Sequence, residues 1–365
     1  MKNYINNVKK RLGKSSFEGL WEGFENALKD SLNCGSYENG SLEWLKEVAK
    51  YHINEDSGSE YWIDRAKANN ITAGKIDDAD SLDGLLNLLG DADTDLLKQE
   101  TGYRDFYMPK AANIQDLFKS SSSGTTGPAK TVYHSAESLT LSAVDEYTGI
   151  KAQFPAGKIA GKVLLATGPN GAYQKEHEIL ADMLNMDYIG NGFETKGLKL
   201  LGKEEFARAI SPVIKNTVDA LYREEVGLMP NAMEMLGILP KEYLQKVDVL
   251  KLSGTTITPQ GIIDAEKNYK NKIIPMYGHY AGKSSIGFLS EDLQQIDYFP
   301  AYPATIIRIN DKNQTAIGYG DRGRIKLIVA EPELFLIKDE DYAGRAKPKR
   351  FFKSVDGLSD PGRDQ

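Results

Sequence analysis

The sequence predicts an α/β protein in which parallel strands alternate with helices and a smaller antiparallel sheet follows. Two strand–helix–strand units carry this prediction, one spanning residues 162–189 and the other residues 247–276. In each unit an apolar run is followed by a segment with helical spacing and then by a second apolar run. Units of this shape place their two strands parallel, joined by a right-handed crossover. Short strands separated by polar turns from residue 302 onward predict the antiparallel sheet.

The same patterns divide the chain into four regions. Residues 1–120 are expected to form a helical prelude, because apolar and aromatic residues recur there at every third or fourth position. Residues 121–300 are expected to form the α/β core, and residues 301–345 a small antiparallel subdomain. The last region, residues 346–365, is basic and then rich in Gly and Asp, which predicts a tail.

Local signals also predict two helix boundaries. Asn39-Gly40 is expected to interrupt the helical pattern just before Ser41, a residue type favoured at helix N-caps. Ser211-Pro212 is expected to separate one helix from the next, since proline suits the first turn of a helix.

Composition narrows the function classes. The chain has 365 residues, of which 41% are hydrophobic and 27% charged, as in ordinary soluble globular proteins. A net charge of −7 gives no support to general binding of nucleic acid, and the four histidines and one cysteine are too scattered for a zinc site. No apolar run approaches the length of a membrane span, and the N-terminus lacks an apolar signal segment. With Cys34 as the single cysteine, a cytoplasmic protein is expected.

Residues 121–130, with the sequence Ser-Ser-Ser-Gly-Thr-Thr-Gly-Pro-Ala-Lys, form the stretch with the clearest chemistry. Glycines allow the backbone to approach a ligand closely, so that successive N–H groups can converge on an anion. The hydroxyl groups add donors without charge, and Lys130 adds a cation for phosphate oxygens. The loop therefore predicts a polyphosphate site. A solvated Ser/Gly linker is the alternative, because it has the same composition.

The order Ser-Ser-Gly-Thr-Thr-Gly-x-x-Lys within this loop resembles the phosphate-loop signature of the adenylate-forming (ANL) superfamily. That superfamily includes acyl- and aryl-CoA ligases, phenylacetate–CoA ligases, acyl-protein synthetases and the adenylation domains of peptide synthetases. The signature usually ends in Gly-x-Pro-Lys, whereas here Pro128 stands one position earlier and the spacing to Lys130 is kept. The resemblance implies the large N-terminal domain of an adenylate-forming enzyme, with two α/β subdomains and a small β-barrel.

The resemblance also implies an activity. In this superfamily a carboxylic acid, aryl or acyl, attacks the α-phosphate of ATP with the help of Mg²⁺, giving an acyl-adenylate and pyrophosphate. Later loops follow the superfamily in order. Ser253-Gly254-Thr255 is similar to the loop along adenine, and Tyr277-Gly278 to the pair on which the base stacks. Asp341 is similar to the aspartate that binds the ribose hydroxyls, with Asp339 as a competing assignment.

The resemblance thus assigns residues to three roles. The phosphate loop would supply the catalytic residues Lys130, Thr125 and Thr126. The nucleotide would be bound by Ser122, Ser123, Gly124, Gly127, Ser253, Gly254, Thr255, Tyr277, Gly278 and Asp341. The segment 168–173 stands where the superfamily lines its acid pocket, and the substrate candidates are Tyr173, His177, His279 and Tyr280. A lone histidine on a helix is also a common packing residue.

The sequence departs from the superfamily after Tyr277-Gly278. The usual continuation is a threonine for the α-phosphate and a glutamate for magnesium, but this chain has Tyr280 and Ala281 at those positions. The source of the metal ligand is therefore open. The overlapping run Gly278 to Ser284 approaches a Walker A loop, but it has three residues between its glycines where that motif needs four.

The resemblance ends about twenty residues before the end of the chain, so the mobile C-terminal domain of the superfamily is expected to be absent. Short members of this kind include acyl-protein synthetases and a phenazine-pathway adenylating protein. The tail contains no cysteine to accept an acyl group. The adenylate is therefore expected to pass to a partner such as a reductase, a transferase or a carrier, with no nucleic acid or membrane partner. The alternative is a catalytically weakened protein of the same fold that binds a nucleotide or an aryl acid.

Overall fold

The structure is a computed structural model, and it describes residues 2–12, 20–30, 37–108, 117–122, 128–154, 158–194, 203–253, 257–270, 272–349 and 355–362. In these ranges no helix combines the length and the apolar character that crossing a bilayer requires.

The N-terminal region is helical, as its periodicity predicts. It contains α1 (Lys2–Arg11), α2 (Trp21–Asp30), α3 (Tyr37–His52), α4 (Glu60–Asn69), α5 (Ala73–Asp77), α6 (Leu82–Leu89) and two short 3₁₀ helices, Thr94–Lys98 and Gly102–Phe106. The predicted break at Asn39-Gly40 is wrong, because α3 runs through it. Gly40 serves close packing instead, since a Cβ there would lie 2.8 Å from Cβ of Asp30 and 3.3 Å from the hydroxyl of Tyr302.

The rest of the chain forms thirteen strands and six helices within the described ranges. In chain order these are β1 (Phe118–Ser121), β2 (Thr131–His134), α7 (Ala136–Gln153), β3 (Val163–Pro169), α8 (Ala172–Leu184), β4 (Asp187–Phe193), α9 (Lys203–Arg223), β5 (Val226–Ala232), α10 (Met233–Leu236), α11 (Lys241–Leu244), β6 (Val249–Ser253), α12 (Pro259–Tyr269), β7 (Lys272–His279), β8 (Lys283–Leu289), β9 (Ile296–Phe299), β10 (Thr305–Asn310), β11 (Arg322–Ala330), β12 (Phe335–Ala346) and β13 (Gly357–Gly362).

Eleven of these strands form one sheet in the order β10-β11-β12-β13-β9-β8-β7-β6-β5-β3-β4. In the sheet, the five adjacent strands β7, β6, β5, β3 and β4 are parallel to one another. Both predicted strand–helix–strand units are confirmed there, as β3-α8-β4 and β6-α12-β7. From β7 to β10 the neighbours are antiparallel. The antiparallel part predicted from residue 302 onward is thus continuous with the parallel part.

Two other expectations differ from the structure, and one strand was not predicted. Part of the predicted tail is strand β13, which lies between β12 and β9. Its backbone completes the sheet, so the basic and glycine-rich composition around it is misleading. Helix α9 is continuous from Lys203 to Arg223 and contains Pro212, where two helices were predicted. Strand β5 was not predicted, and it carries Pro230, a residue type that argues against a central strand.

The N-terminal helices are fixed to the antiparallel part by hydrogen bonds from buried side chains. The indole N–H of Trp44 donates to the carbonyl of Ala330 at 3.2 Å, and that of Trp62 donates to the carbonyl of Phe335 at 2.7 Å. Between them, Nε2 of His52 lies 2.8 Å from the carbonyl oxygen of Glu331. These bonds hold the turn that joins β11 to β12.

We expect Trp62→Phe to lower the free energy of unfolding by about 1–3 kcal/mol, because the carbonyl of Phe335 would stay buried without its donor. Urea denaturation measures the change. Tyr222→Phe is the control, since this side chain is 70% exposed, and it should change stability by less than about 0.5 kcal/mol. Equal stabilities of Trp62→Phe and wild type would contradict the structural role of this bond.

Candidate active site

The carboxyl ends of the parallel strands carry the candidate site, and Tyr277 and Gly278 lie there at the end of β7. Gly278 is exposed, and a Cβ at this position would meet no heavy atom within 4 Å. The backbone therefore offers an open surface beside the ring of Tyr277. Burial, and then the nearby carboxylates of Glu340 and Asp341, raise the pKa of Tyr277. The phenol thus stays neutral, and β12 lies close to this surface.

His279 and Glu340 join β7 to β12 through a side-chain hydrogen bond of 2.7 Å between Nε2 and Oε1. Nδ1 of His279 accepts from the backbone N–H groups of Ala281 and Gly282, at 3.1 and 3.0 Å. Because a nitrogen that accepts two hydrogen bonds carries no proton, the proton sits on Nε2 and is donated to Glu340. His279 is therefore held in one tautomer.

The carboxylate of Glu340 is held in its ionised form. Burial alone would raise its pKa, but the hydrogen bond from His279 and the charge of Lys338 outweigh burial and lower the pKa to about 2. Lys338 also contacts the same carboxylate oxygen. The sequence did not indicate Glu340 as a site residue.

The charge of Glu340 also acts on Lys130. Its Nζ donates to Oγ1 of Thr94 at 2.6 Å and lies 3.5 Å from a carboxylate oxygen of Asp95. Burial, followed by the charge of Lys338, lowers the pKa of Lys130, while the carboxylates of Asp95 and Glu340 act in the opposite direction. Lys130, which directly precedes β2, thus lies within electrostatic range of Glu340 on β12, which in turn is bonded to His279.

The Ser/Gly-rich loop is the connection of a β-hairpin formed by β1 and β2. Its ends are bonded to each other, since the N–H of Ser122 donates to the carbonyl of Lys130 at 2.8 Å and the N–H of Lys130 donates to Oγ of Ser122 at 2.9 Å. The predicted phosphate-binding residues Ser123, Gly124, Thr125, Thr126 and Gly127 lie outside the described residues, as do Gly254 and Thr255.

The structure distinguishes the two aspartates that were predicted as ribose ligands, Asp339 and Asp341. Asp339 is bound to Lys326, with 2.5 Å between Oδ1 and Nζ, whereas Asp341 is exposed near Tyr277. Ser253 is the last residue of β6, next to the end of β5. The placement supports Asp341 over Asp339, and their roles stay predictions.

Tyr173 and His177 lie on α8, below the carboxyl end of β3. The hydroxyl of Tyr173 donates to the carbonyl of Thr167 at 3.3 Å, and its ring centroid lies 4.2 Å from that of His177. Nδ1 of His177 donates to the carbonyl of Tyr173 at 2.6 Å, and Nε2 accepts from Nζ of Lys251 at 2.7 Å. Burial, followed by the charge of Lys251, lowers the pKa of His177, so this ring is neutral.

A stripe of buried polar side chains runs along α7 behind these residues. The α7 polar stripe consists of Ser138, Ser142 and Glu146, which are spaced by four positions on one face of the helix. Glu146 forms a buried ion pair with Lys251 of β6. Ser142 donates to Glu176 of α8.

The stripe continues to the antiparallel part of the sheet. Ser138 donates to Oε2 of Glu331 at 2.9 Å, and Oε1 of Glu331 is paired with Lys283 of β8. This network was not predicted from the sequence. A usable signal was present, because Lys251 stands in the otherwise apolar strand Val-Leu-Lys-Leu and a buried lysine requires an acidic partner.

The comparisons with known proteins find similarity in structure. No protein-family model and no curated protein matches the sequence. The chain is similar to the structure of 2-hydroxyisobutyryl-CoA ligase in an open conformation with 2-HIB-AMP and CoA, with a TM-score of 0.65, 12% identity, and coverage of 91% of this chain and 75% of that chain. It is also similar to the same ligase in the postadenylation state with R3-HIB-AMP, with a TM-score of 0.64, 13% identity, and coverage of 92% and 70%.

The predicted fold, that of the large domain of an adenylate-forming enzyme, is confirmed by this similarity. At 12 to 13% identity the similarity establishes the fold and leaves the chemistry to be argued from the residues.

We expect stability to fall as pH rises from about 4.5 to 8 because of Glu176. Burial, and then the neighbouring carboxylate of Glu146, raise the pKa of Glu176 to about 8, although Lys251 and Ser142 act in the opposite direction. In the unfolded chain this carboxyl has its ordinary pKa of 4.5, so the folded state binds more protons across that interval and loses stability with rising pH.

Glu176→Gln should flatten this dependence and raise stability at pH 8 relative to wild type. Urea denaturation at pH 5, 6.5 and 8 measures the difference between the two proteins. Glu178→Gln is the matched control on the exposed face of α8. If Glu176→Gln followed the wild-type pH dependence, the buried carboxyl would not hold its proton as described.

Proposed function

We propose that this protein activates a carboxylic acid with ATP, forming an acyl-adenylate and releasing pyrophosphate. The observation that carries the proposal is the convergence of Lys130, at the end of the Ser/Gly-rich hairpin loop, with the open surface at Tyr277 and Gly278 and with Glu340 on β12. The fold is that of a ligase whose structure contains an acyl-AMP, 2-HIB-AMP, which supports the same reaction class here.

In the proposed reaction a carboxylate oxygen of the acid attacks the α-phosphorus of ATP, and the bond to the pyrophosphate oxygen breaks. The protein positions the reactants and offsets negative charge on the phosphates. Ser122 and Ser123, with Thr125 and Thr126, would donate to the phosphate oxygens, and Gly124 and Gly127 would let the backbone come close. Lys130 would exchange its contacts with Thr94 and Asp95 for phosphate oxygens.

The nucleoside would lie along the carboxyl ends of β6 and β7. Adenine would stack on Tyr277 over the uncovered backbone of Gly278, with Ser253, Gly254 and Thr255 along its edge. Asp341 would accept hydrogen bonds from the ribose hydroxyls, for which a carboxylate is well suited.

We further propose that Glu340 supplies the carboxylate that Ala281 lacks. Mg²⁺ bound with nucleotides usually keeps water ligands and takes one or two carboxylates in addition to phosphate oxygens. Among the residues that the structure describes, no group of three or more His, Cys, Asp or Glu side chains is arranged to hold a metal ion, which suits a site completed by ATP. Glu340 is ionised, and its charge acts on Lys130. The bound metal would neutralise phosphate charge.

Lys130→Ala should lower kcat/KM for acid-dependent pyrophosphate release by about 10²–10³, because a preorganised positive charge on the phosphates would be lost. Lys162→Ala is the control, since Lys162 is an exposed lysine outside the site. Circular dichroism verifies that both variants fold. Unchanged pyrophosphate release by Lys130→Ala would contradict the proposed contact of Lys130 with the phosphates.

Glu340→Gln should weaken binding of ATP in the presence of Mg²⁺ and change binding of metal-free ATP much less. Isothermal calorimetry with and without Mg²⁺ gives both affinities. Asp339→Asn removes the neighbouring carboxylate of β12, which is bound to Lys326, and should leave the Mg²⁺ effect intact. Equal weakening with and without metal would argue against Glu340 as a ligand.

A second candidate function is favoured by Ala281 at the position of the superfamily's glutamate. Such a protein would bind a nucleotide or an aryl acid with little turnover. Acid-dependent formation of AMP-linked product separates the two candidates, since a binding protein would form none. For the enzyme, we propose that the adenylate passes to a partner such as a reductase, a transferase or a carrier.

A further inference from the structure

We infer that a cavity between helix α6 and strand β10 binds a small monovalent cation, either a metal ion such as K⁺ or the ammonium group of an amine. The cavity has a volume of about 200 Å³ and is partly open to solvent. It is lined by the last turn of α6 together with Asp91, Asn310, Gln314 and Lys326, and we call it the α6–β10 cavity. The inference concerns a second site and does not depend on the proposed adenylation.

Two amide oxygens in the wall of the α6–β10 cavity lack a hydrogen-bond donor. Oδ1 of Asn310 and Oε1 of Gln314 are both buried, and no donor among the described residues lies within hydrogen-bonding distance of either atom. Asn310 as a whole is only 2% exposed. Because a buried acceptor without a partner destabilises the fold, a ligand in the cavity is expected to supply what these oxygens lack.

The orientation of the Gln314 amide is fixed by its other end. Nε2 of Gln314 donates to Oδ2 of Asp339 at 3.3 Å. The reverse orientation would place the amide oxygen against a carboxylate oxygen, with no proton between them. The oxygen of Gln314 is therefore the atom that is left without a donor.

The charges around the α6–β10 cavity favour a cation. Two carboxylates, those of Asp91 and Asp339, share the ammonium group of Lys326, with 2.5 Å from Nζ to an oxygen of each. Arg324 lies 3.7 Å from Asp339 but is 49% exposed, so water and salt screen its charge. Arg65 donates to a backbone carbonyl of α6 and does not line the cavity. The second carboxylate is thus not matched by a buried cation within the cavity.

The same groups disfavour other kinds of ligand. An anion would meet two carboxylates and the two amide oxygens that lack donors. Ca²⁺ and Mg²⁺ bind most tightly where several carboxylates converge, and in the described part of the chain no group of three or more His, Cys, Asp or Glu side chains could hold a metal ion. An apolar ligand would contact little hydrocarbon, since Leu86 is the one apolar side chain among the described residues that line the cavity.

A monovalent cation satisfies the groups that remain. An ammonium group has three N–H donors and no acceptor, which matches the oxygens of Asn310, Gln314 and Asp91. K⁺ can use the same oxygens, because carbonyl groups can replace the water around this ion. A volume of about 200 Å³ also leaves room for water ligands. The bound charge would tie the end of α6 to the end of β10.

Thermal denaturation of the wild-type protein in matched salts tests the inference. We expect about 100 mM KCl, ammonium chloride or methylammonium chloride to raise Tm by about 2 °C or more over the same concentration of tetramethylammonium chloride, because a ligand that binds only the folded state stabilises it. The larger shift identifies the source of the charge, K⁺ or an amine. Equal Tm values in all four salts, or a shift with CaCl₂ or MgCl₂ alone, overturn the inference.

A single variant locates the ion. Gln314→Met removes one ligand oxygen from a partly exposed turn and should reduce the shift in Tm to less than half of the wild-type value. Gln260→Met is the matched control, the same substitution at an exposed position of α12, and should keep the wild-type shift. An unchanged shift in Gln314→Met overturns the inference. If that variant does not fold, wild-type crystals soaked in RbCl decide, because Rb⁺ should give an anomalous scattering peak inside the α6–β10 cavity and the absence of a peak there overturns the inference.

Discussion

Burial of a polar stripe along one helix is the constraint that the rest of this structure must satisfy. Ser138, Ser142 and Glu146 of α7 are all buried. A buried polar group without a hydrogen-bond partner destabilises the fold by an amount that is large compared with the net stability of a domain. Each therefore has a partner on a different element: Glu331 in the turn after β11, Glu176 on α8, and Lys251 on β6. Hydrogen-bond geometry fixes these elements around α7 more tightly than apolar packing alone would.

The same constraint links the N-terminal helices to the candidate site. Glu331 is paired with Lys283 at the start of β8, while its backbone carbonyl lies against His52 of α3. The turn of β7 into β8, which carries His279, is thereby supported from behind by a charge-balanced network. The buried cations Lys251 and Lys283 are each matched by a buried carboxylate, whereas the partner of Lys130 is the exposed carboxylate of Asp95.

Much of the fold follows from the sequence because its signals are local. The segments that became β3, β6 and β7 are largely continuous apolar runs, as buried parallel strands require, and helices fill the predicted crossovers. The misleading positions are those where tertiary contacts override local preference. Pro230 lies in a central strand, and Gly40 lies inside a helix that packs closely on Tyr302.

A candidate site residue was predictable where one loop carries the motif, as at Lys130 and at Tyr277-Gly278, and those roles stay predictions. Glu340 was not predictable, since its significance depends on a histidine sixty-one positions away that donates to it across two strands. The α7 polar stripe was also missed, because its burial is recognised only when its partners Glu331, Glu176 and Lys251 are seen beside it. Long-range pairing of polar groups leaves no periodic trace in a sequence.

The insertion of β13 between β9 and β12 dictates an order of assembly. The parallel strands all precede β13 in the chain, so that half of the sheet can form as soon as its own residues have left the ribosome. The antiparallel half cannot close until Leu358 reaches Tyr298, because β13 is the last of the described strands. Until then β9 and β12 each expose an unpaired edge, the kind of surface on which nascent chains associate with one another. Chaperone dependence during synthesis would therefore be concentrated in one half of the molecule.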